Sequence, residues 1–415
     1  MTINLKPIRG MHDRLPDECD QITFIMDVIR SVVEGFGYRQ IVLPLVEYTD
    51  LFKRSVGVSS DIVQKEMYTF NDRNDESLTL RPEGTAGCFR AYLSEFHRSS
   101  PYQRLWYFGP MYRRERPQKG RQREFYQFGI EAFGYEHPCI DIEIIKVAYT
   151  IFNRLSLSSP VICKINYLGN SDTREAYLNV LRDFFRPFVD KFDEVHQYRF
   201  DQNVLRLLDS KDEYVKSLIK DAPKISEYLS DKELSDYAYI KDMLAKSEIP
   251  FEEDHTLVRG LDYYSGLIYE WQALEGLGAQ NTICAGGRTD KLCEILSNKK
   301  GFSLGMAIGI ERLSMLVDTK HVEKNKKVFL FADNENDYQL VLDLQTSLHD
   351  IQMNAMLHYG SSQLKKQLNR ASNMGCTLVV GRINDEWHLF NTETDDKYIF
   401  NKVEKLLEKI NACRS

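Results

Sequence analysis

The residues best equipped for chemistry in this chain of 415 residues are Leu257-Val258-Arg259-Gly260-Leu261-Asp262-Tyr263-Tyr264. Arg259 offers a planar fork that fits a carboxylate or a phosphate. Gly260 lets backbone pass close to a ligand. Tyr263 and Tyr264 offer flat faces and hydroxyls to a ring with polar edges. Taken alone, an Arg–Asp pair beside two half-buried tyrosines is also a common packing motif. A second stretch runs from Arg113 to Phe125 and includes Arg113, Glu115, Gln118, Lys119, Arg121 and Arg123. Six basic residues and two acids give it a local charge of about +4 in a chain whose net charge is −7. Pro117 and Gly120 make it a turn between two strands, Leu105–Phe108 and Glu124–Ile130. A basic hairpin tip binds a triphosphate or an RNA backbone; an arbitrary arginine-rich loop is more often simply solvated.

Three shorter motifs add to these. In Thr79-Leu80-Arg81-Pro82-Glu83-Gly84-Thr85 a carboxylate held between proline and glycine sits in a fixed turn, which suits capture of an ammonium group. In Gly305-Met306-Ala307-Ile308-Gly309-Ile310-Glu311-Arg312 small residues allow close strand packing before Arg312 emerges at a helix start. At Gly129-Ile130-Glu131-Ala132-Phe133-Gly134, strand alternation turns Gln127, Gly129 and Glu131 to one side, where two polar side chains line a pocket floor. Each has a bland counterpart: an exposed turn, a tight strand-to-helix joint, a half-exposed strand.

Several elements must position these residues. Apolar residues from Ile22 to Phe36 recur at spacings of three and four and predict a helix over 19–36. Arg39–Pro44 reads as a strand closed by a proline, fit for an edge or an interface. Leu78–Leu80 is a further strand, and Asp141–Leu155 a helix. Residues 171–252 lose their strand signals and read as an inserted helical subdomain, with Asp172 and Glu175 marking a helix start. Strands return at Leu267–Trp271 and Thr282–Ala285. Lys320–Lys327 is a polar, basic linker. Beyond it, strands at Val328–Ala332, Asn354–His358 and Thr377–Val380 alternate with helices at Asp337–Ile351, Ser362–Met374 and Asn401–Ile410, predicting a compact α/β domain.

Composition bounds the function. Hydrophobic content of 43% and charged content of 28% are those of a soluble globular protein. No apolar run is long enough to span a membrane, and the N-terminus lacks the layout of a signal peptide. The eight cysteines form no Cys-x-x-Cys pair, which points away from zinc or a redox dithiol and towards a reducing cytoplasm. An acidic chain is a poor general polyanion binder, but a local basic patch can still hold a large RNA.

The five motifs stand in the order found in histidyl-tRNA synthetases, which the chain resembles over essentially its whole length. The octet resembles that family's signature, Arg113–Phe125 resembles class II motif 2, and Gly305–Leu313 resembles motif 3. Arg39–Pro44 with Glu47 looks like motif 1, a dimer-interface element, and Leu364–Leu368 resembles the anticodon-binding domain. The resemblance implies an α+β fold: an antiparallel sheet flanked by helices over 1–170 and 253–321, a helical insertion over 171–252, and an anticodon-binding α/β domain over 327–415. It implies ATP, Mg²⁺, L-histidine and a histidine tRNA as ligands, and a homodimer. It also implies roles. Arg259 and Arg113 would be catalytic. Glu83, Gly84, Thr85, Gln127, Glu131, Tyr263 and Tyr264 would bind histidine. Arg113, Glu115, Arg121 and Arg312 would bind ATP, while Gln118, Lys119 and Arg123 would meet the tRNA acceptor end. The metal ligands stay open.

The family's usual Gly-Gly-Arg-Tyr-Asp-Gly-Leu is here Gly286-Gly287-Arg288-Thr289-Asp290-Lys291-Leu292, a departure that bears on the histidine pocket. Two other readings compete: a catalytically silent, histidine-sensing regulatory paralogue, and a pure RNA-binding module. The first typically lacks the signature arginine and the C-terminal domain; the second has no need of ammonium, phosphate and imidazole sets.

Overall fold

A computed structural model describes residues 5–57, 60–261, 263–278, 280–318, 320, 327–360 and 363–413. The chain divides into two compact units, 1–319 and 320–415. The first is built on an eight-stranded sheet. Its six inner strands, Gln103–Tyr112, Glu124–Phe133, Ser303–Gly309, Thr282–Arg288, Ser265–Ala273 and Val161–Tyr167, pair antiparallel in that spatial order. Short parallel strands close the edges, Arg39–Gln40 beside Gln103–Tyr112 and Phe251–Glu253 beside Val161–Tyr167.

Strand alternation gives the sheet two different faces. Trp106, Phe128, Ile130, Tyr269 and Trp271 point to one side, where the helices Pro16–Gly35 and Cys139–Arg154 cover them. Leu105, Tyr107 and Ile268 point to the other, under the helix Thr85–Ala91 and the helical segment after Tyr167. That segment holds the helices Ser171–Phe185, Glu194–Asn203, Glu213–Ile219 and Asp231–Lys246. It starts at Asn170, whose side chain accepts from the backbone of Asp172 and Thr173; Asp172 and Glu175 do not make the cap. A reciprocal capping box forms instead at Ser230 and Glu233.

Arg39–Pro44 is not one strand. Pairing covers Arg39–Gln40 only, and the chain pairs again at Val46–Tyr48, in a separate three-stranded sheet with Ser77–Leu80 and Tyr68–Asn71. Pro44 lies in the break between them. Cross-strand register puts Tyr48, Leu78 and Phe70 side by side, with Val46 and Leu80 on the same face. Val46, Tyr48 and Phe70 are exposed there.

The second unit is a five-stranded sheet in the spatial order Asn354–Leu357, Lys327–Ala332, Leu378–Ile383, Glu386–Asn391, Asp396–Phe400. The first three strands are parallel, with the helices Tyr338–Asp350 and Leu364–Asn373 between them in sequence; the last two are an antiparallel extension. The alternation expected from the sequence is present, but the two added strands were not foreseen. The first of them forms a hairpin with Leu378–Ile383 that turns at Asn384-Asp385, both at positive φ, the geometry that two-residue hairpin loops require. The linker expected at Lys320–Lys327 lies mostly outside the described residues, as does Ser362.

Candidate active site

A cleft of about 1030 Å³ opens on the second face of the large sheet. Its floor follows from register. Gly129 faces Tyr107 and Ala307, Glu131 faces Gly305, and Ala285 faces both Ala307 and Glu270. Small residues thus occupy the two central strands, and polar side chains rise from the strands on either side. The spaced small residues of 305–309 leave room above the floor.

Glu131 is fully buried, and Thr85 Oγ1 donates to its Oε1 at 2.7 Å, with Tyr107 OH at 3.4 Å. Its Oε2 has no partner among the described residues. Burial drives this carboxyl well above the usual range, against the pull of those two hydroxyls. Tyr107 is slotted between glycines: a Cβ on Gly84 or on Gly129 would lie 2.1 or 2.3 Å from its side chain. Glu83 closes the same corner. Its two oxygens accept from the backbone N–H groups of Thr85 (2.7 Å) and Ala86 (2.8 Å) at the start of the helix Thr85–Ala91. Burial raises its pKa, and those two backbone donors oppose the rise. Tyr263 and Tyr264 are buried nearby, their hydroxyls kept neutral first by burial.

Arg259 is placed by pairing. Its guanidinium bonds Glu270 Oε1 and lies 5.4 Å from the centre of the Tyr264 ring. Glu270 Oε2 in turn accepts from Thr282 Oγ1 at 2.8 Å and Gln272 Nε2 at 3.3 Å. Burial works against the Arg259 charge, and Tyr264 and Glu270 hold it. Arg259 Nε has no partner among the described residues. Asp262, between these groups in sequence, lies outside the described residues.

The basic stretch forms a hairpin closed by backbone bonds between Gln118 and Arg121. Arg113 Nε donates to the Pro82 carbonyl at 2.8 Å, beside Glu83, and its guanidinium sits 5.2 Å from the Phe125 ring centre. Arg121 pairs with Glu115 at 2.6 Å. Arg312 donates to the carbonyls of Gly120 (2.9 Å) and Thr282 (2.8 Å) and to Gln280 (3.2 Å), fastening the hairpin tip across the cleft mouth. Burial, and Arg121 behind it, lower the Arg312 pKa. Gln118 and Lys119 are exposed at the tip; Arg123 is half-buried and donates to the Glu115 carbonyl.

The cleft therefore gathers Glu83, Thr85, Arg113, Glu115, Arg121, Gln127, Glu131, Arg259, Tyr263, Tyr264 and Arg312. Gln118, Lys119 and Arg123 lie outside its lining. Gly84 acts as a slot for Tyr107 rather than as a lining residue. Gly260 is not strained: its φ is not in the left-handed region, and beyond its chain neighbours no atom of the described residues lies within 4 Å of a Cβ built on it. Sequence reasoning missed Glu270, Tyr107, Arg206 and Asp209. For Glu270 the alternation Ile268, Glu270, Gln272 on a predicted strand was an available signal; for the other three no local pattern existed. Thr289 is buried at the cleft edge, where its hydroxyl donates to Ser303 Oγ at 3.0 Å. Arg288 turns away to bond Asp141 at 2.6 Å. Among the described residues no three His, Cys, Asp or Glu side chains converge as a metal cage, no helix is long and apolar enough to cross a membrane, and all eight cysteines are free.

Comparison with known proteins agrees with this geometry. Residues 10–313 match the family model described as histidyl-tRNA synthetase. The chain is 38% identical over 419 residues to a histidine–tRNA ligase of Francisella philomiragia, covering 97% of this chain and 98% of that one. The apo histidyl-tRNA synthetase of S. aureus superposes with a TM-score of 0.80 at 28% identity, covering 98% of this chain and 99% of the other. A Bacillus halodurans protein described as an ATP phosphoribosyltransferase regulatory subunit/histidyl-tRNA synthetase shares the fold, with a TM-score of 0.67 at 22% identity over 92% of this chain and all of that one. By that coverage and identity the chain belongs to the histidyl-tRNA synthetase family, and its activity is the ATP-dependent ligation of histidine to tRNA.

Proposed function

We propose that the cleft performs both steps of this ligation with the following division of labour. The histidine carboxylate attacks the α-phosphorus of ATP, forming histidyl-adenylate and releasing pyrophosphate; the terminal ribose hydroxyl of the tRNA then takes the histidyl group. Phosphoryl transfer is mostly positioning and charge stabilisation. Arg259 and Arg113 clamp the α-phosphate and the attacking carboxylate. Glu115 and Arg121 contact ATP, and Arg312 stacks on adenine. Glu83 and Thr85 bind the α-ammonium beside Gln127. Glu131 and Tyr264 each meet one ring nitrogen of the imidazole, with Tyr263 alongside. Gln118, Lys119 and Arg123 meet the acceptor end of the tRNA, and 327–415 holds its anticodon.

The observation that carries this reading is the pair of unmatched buried atoms, Glu131 Oε2 and Arg259 Nε, on two residues that line one cleft. An acceptor and a donor left bare in a protein interior are costly until a ligand fills them. Mg²⁺ travels with the triphosphate oxygens, a common arrangement for this ion. The cleft carboxylates of Glu115 and Glu270 are paired with arginines.

The chain acts as a cytoplasmic homodimer. The exposed apolar face carrying Val46, Tyr48 and Phe70 supports this, since an uncovered apolar face gains by pairing with its own copy. The test of the whole reading is histidine-dependent ATP–pyrophosphate exchange. Arg259→Ala should keep its fold and lose exchange by roughly two to four powers of ten, the range for a preorganised charge. Wild-type exchange in that variant would sink the assignment, and absent exchange in the wild type would favour a regulatory paralogue.

A further inference from the structure

We propose that Arg206, in the helical segment, is a positioning residue for adenylate formation: it holds the backbone of Gly260 and so aims the adjacent Arg259. The inference rests on the role of Arg259 argued above. Arg206 belongs to the short 3-10 turn Val204–Leu207. Its neighbours Val204, Leu205 and Leu207 are buried in the same core as Leu257, Tyr263 and Tyr264, so the turn and the signature segment share one core. From that seat Arg206 Nη2 donates to the Gly260 carbonyl at 2.9 Å, and Nη1 pairs with Asp61 at 3.5 Å. The Arg206 side chain is 13% exposed.

Gly260 has no Cβ to pack, and beyond its chain neighbours no described residue comes within 4 Å of where one would be, while its carbonyl accepts the Arg206 bond. Glu270 fixes the far end of the Arg259 side chain; Arg206 fixes the backbone from which that side chain starts. One further contact ties the helical segment to the rest of the unit: Gln64 Nε2 donates to the Tyr198 hydroxyl. Within the segment, the Arg199 guanidinium donates to the Arg206 carbonyl at 3.4 Å and steadies the turn that carries Arg206. Asp209, three residues on, faces the Arg259–Glu270 pair, and burial followed by Glu270 raises its pKa. A reacting group displaced by an ångström loses most of its advantage, so an anchor on Gly260 acts on rate rather than on substrate affinity.

The test uses the full-length protein and ATP–pyrophosphate exchange. Arg206→Ala should lower kcat roughly tenfold, the worth of one hydrogen bond from a charged donor, with the KM values for histidine and ATP within about twofold of wild type. Arg206→Lys, which can still donate to the Gly260 carbonyl, should recover most of the rate. The double variant Arg206→Ala with Arg259→Ala should be no slower than Arg259→Ala alone, because one residue acts through the other. Additive losses, an unchanged kcat, or a raised ATP KM at normal kcat would overturn the proposal; the last would make Arg206 a direct substrate contact. If Arg206→Ala lowers the melting temperature, Arg206→Gln in the same double-variant comparison decides. Wild-type exchange in Arg259→Ala alone would instead defeat the underlying role of Arg259, and the two failures are distinct.

Discussion

Gly305→Ala should uncouple histidine recognition from ATP recognition. A Cβ at that position would lie 2.0 Å from Glu131 Oε2, 2.6 Å from its Cδ and 2.7 Å from the Ile130 carbonyl oxygen. The first two contacts could be relieved by swinging the carboxyl away, but Glu131 Oε1 is held by Thr85 and Tyr107. Tyr107 cannot follow, because Gly84 and Gly129 leave its ring one slot. The third contact is with backbone, so the strands 124–133 and 303–309 must also spread. Overpacking of this kind costs about 1–3 kcal/mol, which should lower the melting temperature by a few degrees. Displacing the carboxyl removes a hydrogen bond of the charged class, about 1.5–3 kcal/mol, or roughly ten- to a hundredfold in histidine KM. The proposed ATP contacts lie on the hairpin and on Arg312, so the ATP KM should stay within about twofold. Exchange kinetics with each substrate varied in turn, together with a thermal melt, make the measurement. Glu131→Gln is the control: it should lose histidine affinity comparably without the packing cost, since an amide still accepts from Thr85. A histidine KM near wild type in both variants would refute the argument that this carboxyl reads the ring.

Three further outcomes follow from the same geometry. Thr289 supplies less wall than the tyrosine usual in the family, so the histidine KM should be raised at near-normal turnover, and Thr289→Tyr should lower it; an unchanged or higher KM would show that the hydrogen-bonded Thr289–Ser303 pair already completes the wall. Asp290 has its pKa pushed up to about 6, chiefly by burial and against the pull of Arg288. The folded state therefore holds a proton that the unfolded chain gives up between about pH 4 and 6, and stability attributable to this group falls across that window as pH rises; Asp290→Asn should flatten that fall in melts taken through the range, and an unaltered slope would contradict it. The exposed face of Val46, Tyr48 and Phe70 should be covered by a second copy; light scattering should report a dimer, with Phe70→Asp shifting it towards monomer, and a monomeric wild type at micromolar concentration would count against the interface.

Much of the site was legible because its parts are short and punctuated. Arg259 beside Gly260, Glu83 between Pro82 and Gly84, and the Pro117–Gly120 turn each carry their own local geometry, and strand alternation was enough to put Gln127 and Glu131 on one face. The helical and sheet segments were legible from periodicity, and the departures came at ends and edges. Arg39–Pro44 read as one strand because its apolar residues are continuous, yet Pro44 has no N–H to give a ladder, and pairing passes to a second sheet. The C-terminal hairpin carried its signal in Asn384-Asp385, a pair tolerant of positive φ. Tyr107 and Arg206 were hidden for a different reason. Each matters through a partner well away in sequence, Glu131 and Gly260, and only register or docking brings the two together.

The ionisable groups of the cleft fall into two sets, and the difference explains how one cleft can both hold a polyanion and choose one amino acid. Arg121 with Glu115, Arg259 with Glu270, and Arg312 with two carbonyls are cations already committed on one side. That commitment fixes their direction; in the proposed assignment their remaining N–H groups meet phosphate, and little ordering would remain to be done when ATP arrives. The second set is defined by what is missing. Glu131 keeps one oxygen bare at the bottom of a pocket walled by tyrosines. An amino acid lacking a ring donor would seal that oxygen away from water without pairing it, and a mismatch of that kind discriminates far more strongly than the loss of apolar contact. In the proposed assignment histidine fills that deficit, so selectivity would reside in an unsatisfied atom on a strand and rate in the paired arginine.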